Sequence, residues 1–385
     1  MNNFTYYNPT KLIFGEGTIA EIGQEIPLNA KILITYGGSS AKRFGTLDEV
    51  KKALGDRVCI EFPGIEPNPE YTTLMRAVKV VKENEIDYIL AVGGGSVIDG
   101  TKFIAAAARY NGNVWQMWSE KRPIEDAVPY GCVLTIPATG SEMNSGAVIS
   151  HHEQKIKISH RSPLLFPRFS VLDPTKSYTL PKRQVANGVI DAFIHVIEQY
   201  LTYPVYGKVQ DRMAEGLLLT LIEEGPKAMV DPENYDVRAT IMLSATLALN
   251  GLISVGVPQD WATHRIGHQI TALYGLDHAQ TLAIILPALM HVEQDEKHAK
   301  LLQYAKRVWN IVDEEDDEMT INAAIRCTRE FFESLGVPCQ LSAYNLPESC
   351  IDELIDSMVE NQMLPIGEHE DIDEFKLRRI LSLAY

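Results

Sequence analysis

Cysteine is scarce in this 385-residue chain, which has five, at Cys59, Cys132, Cys327, Cys339 and Cys350. The number is odd and no two are spaced C-x-x-C. That excludes a disulfide framework and a Cys-based zinc site, and fits a reducing compartment. Positive charge is also short. There are 35 Lys+Arg against 51 Asp+Glu, a formal net charge of −16. A binder of nucleic acid or of an anionic membrane normally carries a basic face, so both partners are excluded. Long apolar runs are missing too. TLAIILPALM at 281–290 is among the longest, well short of the ~18 residues that span a bilayer. The opening MNNFTYYNPTKLIFGEG has neither a basic n-region nor an apolar h-region. No secretory signal is therefore expected, and a soluble cytoplasmic protein is the default.

What is present is ordinary for a globular chain: 45% hydrophobic and 22% charged residues. At roughly 150 residues per domain the length predicts two or three domains. Up to about residue 180, β-rich runs alternate with glycine clusters and helical stretches. KILITY (31–36), YILAV (88–92), CVLTIPA (132–138) and SVLDP (170–174) are predicted strands. The first is followed by GGSS and a helical LDEVKKAL, the second by GGGS and a helical IDGTKFIAAAARY. Strand, glycine turn and helix in repetition predict a doubly wound α/β domain. Beyond Pro181 the apolar spacing turns to threes and fours. QVANGVIDAFIHVIEQYL, MAEGLLLTLIEEGPKAM, IMLSATLALNGLI, AKLLQYAKRVWNIV, INAAIRCTREFFESL and ESCIDELIDSMV predict an all-helical second half. The acidic VDEEDDE (312–318) is expected to be a solvated loop between helices.

Three loops invite an anion or a nucleotide. Gly93-Gly94-Gly95-Ser96 follows an apolar strand and opens a helix. Backbone N–H groups there can approach a pyrophosphate, helped by the positive end of the helix. The spacing is neither GxGxxG nor a P-loop, and a tight βα turn with no ligand is the competing reading. Gly37-Gly38-Ser39-Ser40 follows the first strand. An NAD enzyme places a carboxylate near such a strand end for the ribose 2′-OH. Residues 37–41 contain none, and Lys42 and Arg43 follow. A nicotinamide cofactor bound here is predicted to be NADP rather than NAD; a plain solvent-exposed turn is the alternative. Pro137-Ala138-Thr139-Gly140-Ser141-Glu142 offers small hydroxyls after a further strand.

Ten histidines are present, and two pairs stand out. Asp191 and His195 are four apart in the helical NGVIDAFIHVIEQ and so share an inward face. His264 and His268 repeat that spacing, and His278 follows the helix-breaking Gly275. A buried carboxylate without a partner is unfavourable, and a divalent cation would relieve it. One carboxylate and three imidazoles make four N/O donors, enough for a tetrahedral site of zinc or Fe(II). Hydrogen-bonded core histidines are the bland alternative. The rival cluster, His151, His152 and His160, sits with Lys155 and Lys157 in a polar HHEQKIKISHRSP, where a solvated hairpin or loop is expected. His291, His298 and His369 lie in charged contexts and are expected at the surface.

Together these stretches resemble the iron-containing (group III) alcohol dehydrogenase family along essentially the whole chain. The carriers are PTKLIFGEG, FPGIEPNP, GGGSVIDGTK, PATGSE and HRIGHQITALYGLDHAQ, the last similar to that family's His-rich signature. LITYGG, ANGVIDAFIHVIEQY and ALNGLISVGVPQDWATH resemble its NADPH-dependent butanol dehydrogenase and broad-specificity aldehyde reductase branch. The resemblance implies a dehydroquinate-synthase-like fold. An N-terminal Rossmann-like α/β dinucleotide domain (1–180) would precede a C-terminal helical metal domain (181–385), with the active site in the cleft between them. It implies that Asp191, His195, His264 and His278 ligate one divalent metal, Fe2+ or Zn2+, and that His268 is a non-ligand histidine near the substrate. Gly94, Gly95 and Ser96 match the pyrophosphate loop, and Asp99 lies near the nicotinamide end. Thr135 and Thr139 match cofactor contacts, and Lys157 a lysine that reaches the ribose. Gly37, Gly38 and Ser40 match the 2′-phosphate pocket, although some relatives have GGGS where this chain has GGSS. A homodimer is implied as well.

The implied reaction is hydride transfer between NADP(H) and a primary alcohol/aldehyde pair, with aldehydes such as butanal reduced. The metal polarises the carbonyl as a Lewis acid, and His268 is one candidate proton donor, since imidazole titrates near ~6.5. A relay through cofactor ribose hydroxyls and water is the other. A polyol or 1,3-diol dehydrogenase is the alternative within the family. A dehydroquinate-synthase-type lyase would need several Lys and Arg for a phosphorylated, carboxylated substrate, and the His segment carries only Arg265.

Overall fold

The computed structural model describes every residue except 313–315. Six strands form one parallel sheet: β1 (Lys11–Phe14), β2 (Ile32–Tyr36), β3 (Cys59–Phe62), β4 (Tyr88–Gly94), β5 (Tyr130–Ile136) and β8 (Phe169–Leu172). Their order is β1-β8-β5-β4-β2-β3. The expected strands at 31–36, 88–92, 132–138 and 170–174 are all in it. β6 (Gly146–His151) and β7 (Ile156–Arg161) make a separate antiparallel hairpin. Between the strands run α1 (Ile22–Glu25), α2 (Ser40–Arg43), α3 (Thr46–Leu54), α4 (Tyr71–Glu83), α5 (Gly95–Arg109) and α6 (Val114–Ser119).

Alternation along the strands builds two cores. On β4, Ile89 and Ala91 join Leu33, Cys132 and Leu134 against Leu74, Ala77, Phe103 and Ile104 of α4 and α5. Tyr88, Leu90 and Val92 turn the other way, joining Ile32, Ile34 and Val171 against Leu47, Val50 and Leu54 of α3. Helices on both faces of a parallel sheet bury every residue of β2 and β4, which is why those strands are unbroken apolar runs.

The remaining elements are helical: α7 (Lys182–Tyr200), α8 (Lys208–Val230), α9 (Tyr235–Ala248), α10 (Ala262–Tyr274), α11 (His278–Val292), α12 (His298–Arg307), α13 (Asp317–Ser334), α14 (Cys350–Glu360) and α15 (Glu374–Leu383). The acidic 312–318 stretch is only partly loop. Asp316 caps α13 through the Met319 N–H, and Asp317 and Glu318 fill the first turn, where the helix dipole favours carboxylates. The rest of that reading, at 313–315, lies outside the described residues. None of the described helices is long and apolar enough to cross a membrane.

The chain divides into two compact units. One comprises Tyr7–Pro181 with Pro232–Asn250, the other Met1–Tyr6, Lys182–Asp231 and Gly251–Tyr385. Helix α9 thus groups with the α/β half, although its period alone places it in the helical half. Specific bonds hold it there: Thr246 Oγ1 donates to the buried Glu142 carboxylate, and Arg238 Nε donates to Ser177 Oγ.

Candidate metal centre and cofactor loops

Asp191 and His195 lie one turn apart on α7, both buried. His264 is in the first turn of α10, and His278 is the first residue of α11. Two local devices fix these helices. Asp277 and Gln280 form a capping box at the start of α11, and Asn187 Nδ2 on α7 donates to Asp277 Oδ2 at 2.9 Å. Gly267 lets α10 and α11 approach closely, since a Cβ there would lie 2.8 Å from Thr281 Oγ1.

The result is convergence on one atom. Nε2 of His195, His264 and His278 lies 3.7, 3.9 and 3.7 Å from Asp191 Oδ1. These separations are too long for hydrogen bonds. Tetrahedral ligands at ~2.0–2.1 Å from a metal stand roughly 3.3 Å apart, close to what is seen. Asp191 Oδ1 is itself buried and accepts no hydrogen bond from the described residues. Left so, a carboxylate oxygen is strongly disfavoured; a cation among the four donors relieves it. Three imidazoles and one carboxylate are a borderline N/O set that suits zinc or Fe(II).

His268 stays outside this convergence. Its ring sits 5.1 Å from that of His278 and 6.0 Å from that of His264, and is half-buried. The rings of His195 and His264 stack at 4.7 Å, with the indole of Trp261 against both. Sequence reasoning missed Glu198. It is buried on α7, three residues past His195 and seven past Asp191, and its Oε2 meets His264 Nδ1. Burial, reinforced by Asp260, pushes the Glu198 carboxyl up, and the His264 backbone N–H pulls it back down. The i+7 spacing from Asp191 was the signal that could have found it.

The rival histidines do form a hairpin, β6–β7, but two of the three are not solvated. His151 is buried, stacked 5.2 Å from Tyr71 and edge-on 4.6 Å from Trp115. His160 is buried against Trp118, its Nε2 bonded to Arg122 O at 2.9 Å. The aromatic residues of α4 and α6 cover that face, and only His152 is exposed. His298 and His369 are exposed and His291 is half-buried.

The three glycine and hydroxyl loops follow β2, β4 and β5, which are neighbours in the sheet. From β2 the chain moves outward to β3 in one direction and from β4 to β5 in the other, so β2/β4 is a switch point. Ligands of open α/β sheets bind outside the carboxyl ends of strands at such points. β4 passes directly into α5 at Gly94–Gly95, and no side chain caps the first turn of α5. Its first N–H groups are therefore available to an anion. A Cβ on Gly95 would collide with Thr139, so the 137–142 loop closes on this turn. Gly37, Gly38 and Ser40 lie at the end of β2, the last two exposed. Thr135 is the last but one residue of β5, half-buried.

Asp99 and Lys157 are both held. Asp99 accepts from Ser141 Oγ and from the Val148 N–H at 2.9 Å, and burial pushes its carboxyl up against the pull of Lys102. Lys157, half-buried on β7, donates to Asn68 Oδ1 at 2.9 Å, and the Asn68 N–H reaches Ser96 Oγ at 3.3 Å. Lysine and pyrophosphate-loop candidates are thus brought to one place. A second missed residue is Lys102, wholly buried. Its Nζ donates to Ser141 Oγ, Asn144 Oδ1 and Gly146 O at 2.8, 3.0 and 2.6 Å.

Known proteins match this arrangement along the whole chain. Residues 9–174 match the family described as iron-containing alcohol dehydrogenase, and residues 185–385 the C-terminal part of the Fe-containing alcohol dehydrogenase family. The NADPH-dependent aldehyde reductase YqhD of Escherichia coli (strain K12) is 58% identical over 387 residues, covering 100% of both chains. The probable NADH-dependent butanol dehydrogenase 1 of Bacillus subtilis (strain 168) is 44% identical over 389 residues, again covering both completely. A crystal structure of E. coli K-12 YqhD superposes with a TM-score of 0.98 at 56% identity, covering 100% of this chain and 99% of that one.

Proposed function

The chain belongs to the iron-containing alcohol dehydrogenase family, and from that premise we propose that it transfers a hydride between NADP(H) and a primary alcohol/aldehyde pair, reducing aldehydes such as butanal. The observation that carries this reading is the turn of three imidazole Nε2 atoms toward the one buried oxygen of Asp191. Asp191, His195, His264 and His278 would hold one divalent metal, Fe2+ or Zn2+. When bound, the metal supplies Lewis-acid polarisation of a carbonyl oxygen, and NADPH supplies the hydride.

The chain's own residues do the rest. The uncapped N–H groups at Gly95 and Ser96 bind pyrophosphate, and Thr139 closes over that turn. Lys157 brings a positive charge beside Ser96, through Asn68. Gly37, Gly38 and Ser40 leave the end of β2 without a carboxylate, which suits a 2′-phosphate. Asp99, locked by Ser141 and Val148, and Thr135 complete the cofactor set. The Trp261 indole packs against the His195 and His264 rings. His268, beside His278, is one candidate proton donor, a relay through cofactor ribose hydroxyls and water being the other. We extend the proposal to a homodimer acting in the cytoplasm, on the strength of the family.

The test is NADPH oxidation by the purified protein against aldehydes from acetaldehyde to hexanal, with metal content measured on the same sample. Saturable reduction is expected, with kcat/KM higher for NADPH than for NADH. A sample carrying a full equivalent of metal that reduces none of these aldehydes sinks the reading. Equal or better kcat/KM with NADH sinks the cofactor part alone.

A further inference from the structure

Glu198 carries no role in the reading above, yet its carboxyl reaches the metal-donor set directly, at His264. Asp191, His195 and Glu198 occupy positions i, i+4 and i+7 of α7 and so lie along one buried face. The Glu198 carboxyl then meets α10 at its first turn. Oε2 contacts His264 Nδ1, and Oε1 accepts the His264 backbone N–H at 3.3 Å. Its backbone is engaged in the same sense, the Asp260 N–H donating to the Glu198 carbonyl at 2.9 Å. The other carboxylate at this helix start has different work. Asp260 accepts from the Ala262 N–H at 3.1 Å and is matched by the buried Lys297 at 2.7 Å.

An imidazole has two nitrogens, and only one can face a cation with its lone pair. Which one is set by the bond the other makes. His264 Nδ1 is engaged by Glu198, and its Nε2 is the atom that turns toward Asp191. We infer that Glu198 is the positioning residue of the metal centre: its carboxylate holds the proton on His264 Nδ1, fixes the ring's rotation by gripping backbone and ring of the same residue, and so presents Nε2 as a lone-pair donor. The inference rests on the reading that the quartet binds a divalent metal. It also places a carboxylate of α7 behind His264, the imidazole whose Nε2 turns toward Asp191.

The experiment uses the full chain, stripped of metal by a chelator and titrated with Zn2+ against a fluorescent competitor. Far-UV circular dichroism and the melting temperature of the metal-free protein are followed in parallel. Glu198→Gln, nearly isosteric, is expected to weaken Zn2+ binding by about 10–100-fold and to alter the visible absorption of the Co2+-loaded protein. Placed on a His264→Ala background it is expected to change affinity by less than about threefold, because the group it acts through is gone. A residue of purely architectural value would lower the melting temperature of the metal-free protein and leave Zn2+ affinity intact. Binding within threefold of the wild type by a folded Glu198→Gln, or an equal loss on both backgrounds, overturns the inference. Wild-type affinity in His264→Ala overturns instead the quartet as the metal site. Should Glu198→Gln not fold, 15N NMR of the histidines in the wild-type metal-free chain decides. Protonation of His264 at Nδ1 supports the inference, and protonation at Nε2 refutes it.

Discussion

Gly95 shows how a single missing methyl group shapes the turn proposed to bind the cofactor. The strand β4 ends and α5 begins with no loop between them, so the first N–H groups of the helix stand at the carboxyl end of an interior strand. A Cβ at residue 95 would stand 2.9 Å from Thr139 Cβ, and closer still to its Oγ1 and Cγ2. Gly95→Ala must therefore push the 137–142 loop off the turn. We predict a rise in KM for NADPH on the order of tenfold, equivalent to about 1.4 kcal/mol of binding, with metal content unchanged. Steady-state kinetics on protein of measured metal content checks this. A KM within twofold of the wild type contradicts the closure of Thr139 on the cofactor turn.

At the scale of elements, the contrast between what was legible and what was not has physical causes. β2, β4, β5 and β8 are buried on both faces, so their sequences are apolar runs that need no partner to be recognised. β1 and β3 are edge strands of four residues with mixed exposure, and KLIF and CIEF carry no comparable signal. Periodicity placed the helices but could not say which neighbour each would choose. α9 is as regular as α7, and its grouping with the sheet depends on Thr246 and Arg238 finding Glu142 and Ser177. The His spacing put His264 and His268 on one face, while the turn of one and not the other toward Asp191 depends on a second helix. Lys102 was invisible for the same reason, because its three acceptors come from segments about forty residues away. It ties α5 to the turn before β6, and Lys102→Met leaves Ser141 Oγ, Asn144 Oδ1 and Gly146 O without that donor. The expected loss is about 1–3 kcal/mol, read as a melting temperature lower by several degrees.

The same lysine gives that loss a pH signature. Burial pulls the Lys102 ammonium from 10.5 down to about 8, against the pull of Asp99. Between about 8 and 10.5 the unfolded chain then holds more protons at this residue than the folded one, so the lysine's contribution to stability rises with pH across that window and is flat below it. The melting-temperature gap between wild type and Lys102→Met is predicted to widen from pH 8 to pH 10. A gap that is constant or narrows contradicts a depressed Lys102.

At the scale of the whole molecule, the net charge of −16 stands beside a proposed anionic cofactor. Favourable binding must then come from local donors, the α5 N–H groups and Lys157, against an acidic background. Those donors all belong to the unit built from Tyr7–Pro181 and Pro232–Asn250, whereas the four metal donors all belong to the other unit. Each ligand should therefore stabilise its own neighbourhood first, since local opening responds to whatever holds that region closed. Hydrogen–deuterium exchange separates the two. Stripping the metal is predicted to raise exchange in α7, in the first turn of α10 and at the start of α11, where the donors would repel or lose their common partner. Adding NADPH to the metal-free chain is predicted to slow exchange at 93–97, at 37–41 and in the 137–142 loop, and to leave the α10 start fast. If NADPH alone restores full protection around His264 and His278, the two ligand sets act as one cooperative structure rather than as two locally stabilised ones. If metal removal instead loosens the glycine turns as much as α7, the donors of the helical unit hold more of the molecule than their own helices.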